Sequence, residues 1–208
     1  MLQNRVDPWG HIIKTSARGA WMGNRGVLHD EHQTIRRNFK LKAWITCVLQ
    51  FKDRHRKVMS PNRWTELFFL DEATALAAGH RPCFECRRED AKRFKTFWLK
   101  GNPEYNFDEK TPIGEIDKIL HRERIDQHGE KVYYSMVFGQ LPDGTFIEKN
   151  SNPYLVAGGR VFLWTPFGYE KEEVLHPEEK VSILTPKSVV NTLKAGYLPQ
   201  ITKKYHVE

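Results

Sequence analysis

The chain has 208 residues, of which 39% are hydrophobic and 12% aromatic, and it contains three cysteines. This composition is typical of a globular protein and argues against broad disorder, and no apolar run approaches the ~20 residues that a membrane-spanning helix needs. A small, odd number of cysteines argues against a disulfide framework and fits a reducing compartment. We therefore expect a cytoplasmic protein of one or two domains, without a membrane partner.

The net charge of +7 is unevenly distributed along the chain. Residues 1–100 carry 20 lysines and arginines against 10 aspartates and glutamates, a net charge of +10, whereas residues 101–208 carry 13 against 16. A basic half of this kind is the electrostatic pattern expected of a protein that binds a phosphate-rich partner. We predict that this partner is a nucleic acid, and we expect DNA rather than RNA. The alternative is a solvated surface that only keeps the protein soluble.

The first 70 residues combine turn-rich segments with two apolar runs. Residues 18–30, RGAWMGNRGVLHD, hold three glycines among aromatic and charged side chains, which predicts a loop that approaches another group closely. Residues 43–51, AWITCVLQF, are apolar and β-branched and predict a buried strand that contains Cys47. Residues 66–70, ELFFL, predict a second, short strand.

A short helix is predicted directly after this second strand. Asp71 is a good N-cap residue, the following ATALAA run strongly favours helix, and Gly79 suits the position just after the last turn. Cys83 and Cys86 then lie in a tight turn. Residues 88–100, REDAKRFKTFWLK, have apolar side chains at helical spacing and predict an amphipathic helix.

The second half of the chain predicts one further helix, a series of short strands and a terminal helix. Residues 115–125 are amphipathic at helical spacing, residues 131–184 alternate short apolar runs with turn residues, and residues 186–196 predict the last helix. We expect an α+β fold, with a short strand–helix–zinc-knuckle unit in the N-terminal half and a small, mostly antiparallel β region with a C-terminal helix. The predicted division is a basic, zinc-binding region 1–100 and a β-rich region 114–208 packed on it as one unit.

The order strand, helix, glycine occurs twice in the chain. Residues 66–82 and residues 181–199 both follow it, and the second copy has no cysteines. The shared order predicts a packing unit, to which the first copy adds a Cys-x-x-Cys motif.

Cys83 and Cys86 have the spacing of half a zinc site. Two thiolates at this spacing can bind one tetrahedral ion while the backbone between them turns tightly. Cys47, His55 and His80 are the nearest further ligands along the chain. We predict one zinc ion bound by Cys83, Cys86, Cys47 and His55. The alternatives are a redox-active thiol pair and structural cysteines without metal.

The run ELFFLDEATALAAGHRPCFECRR resembles the zinc-binding domain of the bacterial Ada methylphosphotriester repair protein, and the resemblance extends over roughly residues 47–90. It implies that Cys83 and Cys86 are the family's second ligand pair. Cys47 falls where the first pair begins, and in Ada that thiolate accepts the methyl group, so the resemblance makes Cys47 a catalytic candidate as well as a ligand. The family's next ligand falls at Phe51, which cannot bind metal. The whole chain, with NRVDPWG and RGAWMGNRG, also resembles uncharacterised bacterial proteins of about this length.

Basic side chains flank the cysteine turn. Arginine forks match the oxygens of a phosphate, so we predict nucleic-acid contacts for five residues: Arg81, Arg87, Arg88, Lys92 and, in the glycine-rich loop, Arg25. The alternative is that several of them only face water. The first functional hypothesis is a zinc-binding, nucleic-acid-binding protein of Ada-like type that acts in DNA repair or damage response.

The second hypothesis is an enzyme. In the glycine-rich loop, Asn24 and Arg25 could bind a phosphate or carboxylate, with His29 and Asp30 as catalytic candidates that supply a general base. This arrangement predicts a hydrolase or nuclease that acts on a phosphorylated substrate, with a purely structural zinc ion. The alternative interpretation of the loop is a turn held by Asn24. A third hypothesis is a metal-free binding module, and the sequence leaves the oligomeric state open.

Overall fold

Two six-stranded sheets and four α-helices are formed by residues 1–52 and 57–202, which are the residues that the computed structural model describes. This architecture confirms the expected α+β class. His55, the predicted fourth zinc ligand, lies outside the described residues.

The first sheet is built from the first 82 residues. Its strands are β1 (Gln3–Val6), β2 (Ile12–Lys14), β3 (Trp21–Asn24), β4 (Ile45–Cys47), β5 (Leu67–Phe69) and β6 (Arg81–Pro82), in the order β2-β1-β5-β3-β4-β6. The pairs β1–β5 and β4–β6 are parallel, and the other pairs are antiparallel. Cys47 is the last residue of β4, and Cys83 directly follows β6.

The glycine-rich segment 18–30 is not the continuous loop that its composition predicts, because β3 lies within it and pairs with β4 and β5. A Cβ atom on Gly23 would lie 2.3 Å from the ring of Phe69. This glycine therefore allows two elements to pack closely and does not mark a turn.

The four helices are α1 (Glu72–Ala77), α2 (Arg88–Gly101), α3 (Ile113–Arg124) and α4 (Lys187–Lys194). The predicted ends of α1 are confirmed: the backbone N–H of Thr74 donates to Oδ1 of Asp71 at 2.8 Å, and Gly79 has a φ of +82°. Among the described residues, no helix has both the length and the apolar content that crossing a bilayer requires.

The second sheet is entirely antiparallel. Its strands are β7 (Tyr134–Val137), β8 (Phe146–Lys149), β9 (Asn152–Ala157), β10 (Arg160–Thr165), β11 (Gly168–Glu173) and β12 (Lys180–Ile183), in the order β11-β10-β9-β8-β12-β7. With α4 following β12, this sheet is the antiparallel region with a C-terminal helix that the sequence predicts.

Shared hydrophobic clusters join the two halves of the chain. Helix α1 contacts β5 in the first sheet and β8 in the second. One cluster combines Leu70, Ala73 and Ala77 with side chains of the second sheet that include Phe146 and Trp164. Another packs α2 and α3 against α4 around the buried ring of Trp98. The segment that leads into the cysteine turn is therefore anchored on both sides by buried apolar surface.

Candidate metal centre

The parallel pairing of β4 with β6 places Cys47 beside Cys83. Thr46 is opposite Pro82 in this register, and the backbone N–H of Cys83 donates to the carbonyl oxygen of Thr46 at 2.9 Å. Cys47 and Cys83 are the next residues along the same two strands. Two thiols that are 36 positions apart in sequence are thereby neighbours at the ends of adjacent strands.

A tight turn brings Cys86 to the same place. The backbone N–H of Arg87 donates to the carbonyl oxygen of Cys83 at 3.0 Å, and the backbone N–H of Glu85 donates to Sγ of Cys83 at 3.3 Å. The Sγ atoms of the three cysteines all lie within 4.8 Å of one another. Two thiolates on one tetrahedral zinc ion, at ~2.3 Å each, are about 3.8 Å apart. Small side-chain movements therefore suffice for all three sulfur atoms to reach one ion.

The three thiols differ in their surroundings. Cys47 is 9% exposed and Cys83 is 6% exposed, whereas Cys86 is half-buried. Hydrogen bonds from the thiols of Cys47 and Cys86 lower the pKa of Cys83, and the bond that Cys47 makes to Cys83 raises the pKa of Cys47. Hydrogen bonding among the thiols thus favours the thiolate form of Cys83. A bound cation favours the thiolate form of every ligand, which is the form that binds metal.

The cluster offers one metal ion three soft sulfur ligands. Among the described histidine, cysteine, aspartate and glutamate side chains, the group has these three members and no fourth. Phe51, at the position of the next ligand in Ada, offers no ligand atom. His80 is buried outside the group, and its Nε2 accepts a hydrogen bond from Nε of Arg25 at 3.1 Å. The structure thus brings Cys47, Cys83 and Cys86 together and leaves His80 apart.

Arg87, directly after the cysteine turn, ties this turn to the rest of the fold. Its side chain is 2% exposed. Nη1 donates to Oγ1 of Thr46 at 2.9 Å, and Nη2 donates to Oε1 of Glu72 at 2.7 Å and to Oδ2 of Asp90 at 2.9 Å. Since Thr46 immediately precedes Cys47, Arg87 links the cysteine turn to the strand that carries the third thiol.

Two further predicted nucleic-acid contacts, Arg81 and Arg25, are also buried. Nε and Nη2 of Arg81 donate to the two carboxylate oxygens of Asp117 at 2.8 and 2.7 Å. Arg25 donates to His80 and to the carbonyl oxygen of Gly10. The guanidinium groups of Arg25, Arg81 and Arg87 are therefore engaged inside the fold.

Arg88 and Lys92, the other two predicted contacts, are exposed on the first turns of α2. Arg88 makes no ion pair with any described residue. Lys92 pairs with the exposed Glu89 at 3.0 Å, an interaction that contributes little to stability in water. Both cations are accessible to an anionic partner.

His29 and Asp30, the candidates for acid–base catalysis, are both hydrogen-bonded to nearby residues of the fold. His29 is buried, and its Nδ1 lies 2.6 Å from Oγ1 of Thr65. Asp30 accepts hydrogen bonds from two backbone N–H groups of its own turn and pairs with Arg36 at 2.7 Å. Neither residue joins Cys47 in the ligand group. The hydrolase or nuclease hypothesis stays a prediction.

Sequence reasoning missed Thr46 and Glu72 as partners of the cysteine turn. Glu72 is 1% exposed and accepts hydrogen bonds from the hydroxyl of Tyr197 at 2.7 Å and from the backbone N–H of Gln200 at 2.9 Å, besides its bond with Arg87. The available signal was a polar threonine inside the otherwise apolar run AWITCV. No local signal links Glu72 to residues 197–200, because they are more than 120 positions away.

Comparisons with known protein families, curated proteins and solved structures found no match for this chain. The resemblance to the Ada zinc-binding domain therefore rests on the motif residues, and a function has to be argued from the geometry of the cysteine cluster.

Proposed function

We propose that the protein binds one zinc ion through Cys47, Cys83 and Cys86, in a module of Ada-like type. We further propose that it binds nucleic acid beside this module, DNA in the first instance, in repair or damage response. The observation that carries the proposal is the approach of the three Sγ atoms to within 4.8 Å of one another.

Zinc is the metal that the donor set favours. Thiolates select zinc over magnesium, calcium and manganese, which prefer oxygen ligands, and the spacing of Cys83 and Cys86 is that of common zinc turns. An ion held by all three thiols would cross-link β4, the end of β6 and the start of α2. Its first role is then structural, because it fixes the turn on which the exposed cations of α2 are presented.

Nucleic-acid binding is supported by the exposed cations on the segments that carry the cysteines. Arg88 and Lys92 are exposed on α2, two and six positions after Cys86, and Lys52 is exposed five positions after Cys47. Because the buried arginines of this region are engaged internally, these exposed side chains carry the proposed phosphate contacts. The net charge of +10 on residues 1–100 would add long-range attraction.

The metal proposal is tested by elemental analysis of protein purified without added metal. We expect about one zinc ion per chain, at least tenfold weaker zinc binding in Cys47→Ser and Cys83→Ser, and a sulfur-to-metal charge-transfer band when cobalt replaces zinc. Ser60→Ala, outside the cluster, should keep its zinc. Zinc far below one ion per chain in the wild type, or unchanged binding in both cysteine variants, would overturn this part of the proposal.

The nucleic-acid proposal is tested by fluorescence anisotropy with labelled duplex DNA across a range of salt concentrations. Lys92→Glu should weaken binding, and it should lower the slope of log affinity against log salt by about 1. Lys118→Glu is a matched control, because Lys92 and Lys118 are both exposed on helices and both pair with a glutamate three positions earlier. An affinity that does not depend on salt, or equal losses in the two variants, would contradict contact through α2.

A further inference from the structure

Arg25 is a fully buried arginine that forms no ion pair with a carboxylate of the described residues. Nε donates to Nε2 of His80 at 3.1 Å, and Nη1 donates to the carbonyl oxygen of Gly10 at 2.8 Å. Nη2 has no hydrogen-bond partner among the described residues, and it lies 3.6 Å from where a Cβ on Gly10 would be. All hydrogen-bond acceptors that the described part of the chain offers this guanidinium group are therefore neutral.

Arg124, at the end of α3, is in the same situation with 1% exposure. Its side chain donates to the carbonyl oxygens of Gly79 and Lys42 and to Nδ1 of His121, which lies 2.9 Å away. Its Nε has no partner in the part of the chain that the structure describes. Its hydrogen-bond acceptors among the described residues are again neutral, and the nearest carboxylate that acts on it, Asp117, is paired with Arg81.

The other two arginines that are buried in the described structure, Arg81 and Arg87, are both paired with carboxylates. Arg81 has both oxygens of Asp117, and Arg87 has Glu72 and Asp90. A buried charge without a counter-charge is strongly unfavourable, and proteins pair such charges or place them against a bound ion. Two guanidinium groups in one place that form no ion pair with a described residue therefore point to a counter-charge that the described residues do not supply.

The two unpaired arginines line one cavity. Both guanidinium groups stack on the ring of Trp44, at 3.7 and 3.8 Å from its centre, and both line a cavity of about 160 Å³. Gly10 and Lys131 also line it. A cavity needs only about 10–15 Å³ to hold one water molecule, so this one has room for a small polyatomic ion.

Positive charge dominates the walls of this cavity. Burial lowers the pKa of Lys131 to about 7 and the pKa of Arg25 to about 9. Asp7 raises both values, but its carboxylate bonds to His11, whose Nδ1 lies 3.2 Å from Oδ2. Glu130 also lines the cavity, is exposed, and makes no ion pair with the described cations. Asp7, and Asp117 beside Arg124, therefore offset this positive charge in part, but neither carboxylate forms an ion pair with Arg25, Arg124 or Lys131.

We infer that this cavity is a binding site for a small oxyanion of the phosphate class, held by Arg25, Arg124 and Lys131. The three cations come from the end of β3, the end of α3 and the segment before β7, so their donors approach from different directions. A tetrahedral oxyanion presents oxygens in several directions, whereas a carboxylate presents two in one plane. The negative charge of a phosphate also suits a site lined by two arginines and Lys131.

The site is distinct from the cysteine cluster and does not rest on the proposed metal. Strand β3 ends at Asn24, which is opposite Ile45, the first residue of β4. Arg25, directly after β3, and Trp44, directly before β4, therefore lie at the same end of this strand pair. Cys47 is at the other end of β4, about 10 Å away along a strand of three residues. A protein that fails to bind zinc could therefore still bind the oxyanion. A protein that fails to bind the oxyanion could likewise still bind zinc.

The test is calorimetric titration of the full-length protein with sodium phosphate, with sodium chloride of equal ionic strength and sodium acetate as reference anions. We expect saturable phosphate binding at one site per chain and a rise in melting temperature that neither reference anion produces. No saturable binding at millimolar phosphate, or equal binding of acetate, would overturn the inference.

Variants locate the bound ion. Lys131→Gln and Arg124→Gln should each weaken phosphate binding roughly 10- to 100-fold, as expected for loss of a charged hydrogen bond. Arg122→Gln is the matched control, because Arg122 is exposed on the same helix two positions before Arg124. Lys131 as a whole residue is half-buried, and its Nζ donates to the carbonyl oxygen of Ala77 at 2.7 Å, so Lys131→Gln loses one neutral hydrogen bond and keeps the test valid if Arg124→Gln fails to fold. Wild-type affinity in Lys131→Gln would place the phosphate elsewhere and overturn the inference.

A second titration distinguishes free phosphate from a phosphate on a larger molecule. A 5′-phosphorylated dinucleotide is compared with the same dinucleotide lacking the phosphate. Binding of the phosphorylated form alone supports a site for phosphate monoester ends, and binding of inorganic phosphate alone supports a site for the free ion. Equal binding of both dinucleotides, with none of inorganic phosphate, would overturn the inference.

Discussion

Replacing Arg87 by methionine tests whether this buried arginine holds the cysteine turn in place. Methionine keeps much of the length and apolar volume of the arginine stem but removes the guanidinium group. Glu72, which is 1% exposed, would then keep only the hydrogen bonds from the Tyr197 hydroxyl and the Gln200 backbone. Thr46 would lose its bond from Nη1 at the same time.

Removing one partner of a buried ion pair costs about 3–5 kcal/mol, because the other charge stays buried without compensation. Glu72 retains two neutral hydrogen-bond donors, which offset part of that penalty. We therefore expect the free energy of unfolding to fall by about 3 kcal/mol, the lower end of that range. Such a loss is a large part of the roughly 5–15 kcal/mol by which domains are stable.

The measurement is urea unfolding followed by tryptophan fluorescence and circular dichroism. Arg87→Met, Glu72→Gln and the double variant form a cycle, in which we expect a coupling energy of about 1–3 kcal/mol. The control is Lys118→Met, which removes a cation from an exposed pair with Glu115 at 2.8 Å and should cost less than about 1 kcal/mol. If Arg87→Met costs no more than this control, the reasoning is refuted.

Arg87→Met also tests whether the buried ion pair of Arg87 supports metal binding by the cysteines. Because Arg87 binds Thr46 beside Cys47, Arg87→Met should lower zinc affinity roughly 10- to 100-fold, the range seen when groups that orient metal ligands are removed. Competition with a chelator measures this change. Unaltered zinc affinity in a destabilised variant would mean that Arg87 supports the fold and not the ligand geometry.

Two further predictions concern backbone strain and pH. Gly79→Ala should destabilise the protein by more than about 1 kcal/mol, since φ at Gly79 is +82° and a Cβ there would lie 2.4 Å from Cδ of Arg124. Gly114→Ala, on α3 with nothing within 4 Å of the added carbon, should be neutral or slightly stabilising; equal effects of the two changes in urea unfolding would contradict this account. Burial and the nearby cations Arg124 and Lys42 lower the pKa of His121 from 6.5 to about 4, so its contribution to stability is fully present above pH 6.5 and is lost as the pH falls toward 4. His121→Asn should flatten the pH dependence of the unfolding free energy in that window, and an NMR titration that gives His121 a pKa of 6.5 or higher would disprove the prediction.

Several elements could be predicted because their signals act over a few residues. The cap at Asp71 and the stop at Gly79 define α1, and helical spacing of apolar residues defines α2 and α3. The repeated order of strand, helix and glycine is confirmed as β5–α1–Gly79 and β12–α4–Gly196, and both glycines have positive φ. Caps, turns and helical periodicity depend on neighbouring residues, so the sequence by itself determined these elements and the tight turn from Cys83 to Cys86.

The tertiary structure alone decided what surrounds the cysteines. Cys47 is a neighbour of Cys83 because β4 and β6 pair in parallel, and a register between strands more than 30 residues apart has no local signal. The roles of the arginines were decided in the same way. Arg87 is paired, Arg88 is exposed, and Arg25 is buried without an ion pair to any described residue. A guanidinium group is chemically the same in all three positions, and only the distant residues that the fold brings beside it determine whether it forms a buried ion pair, faces water or is buried without one.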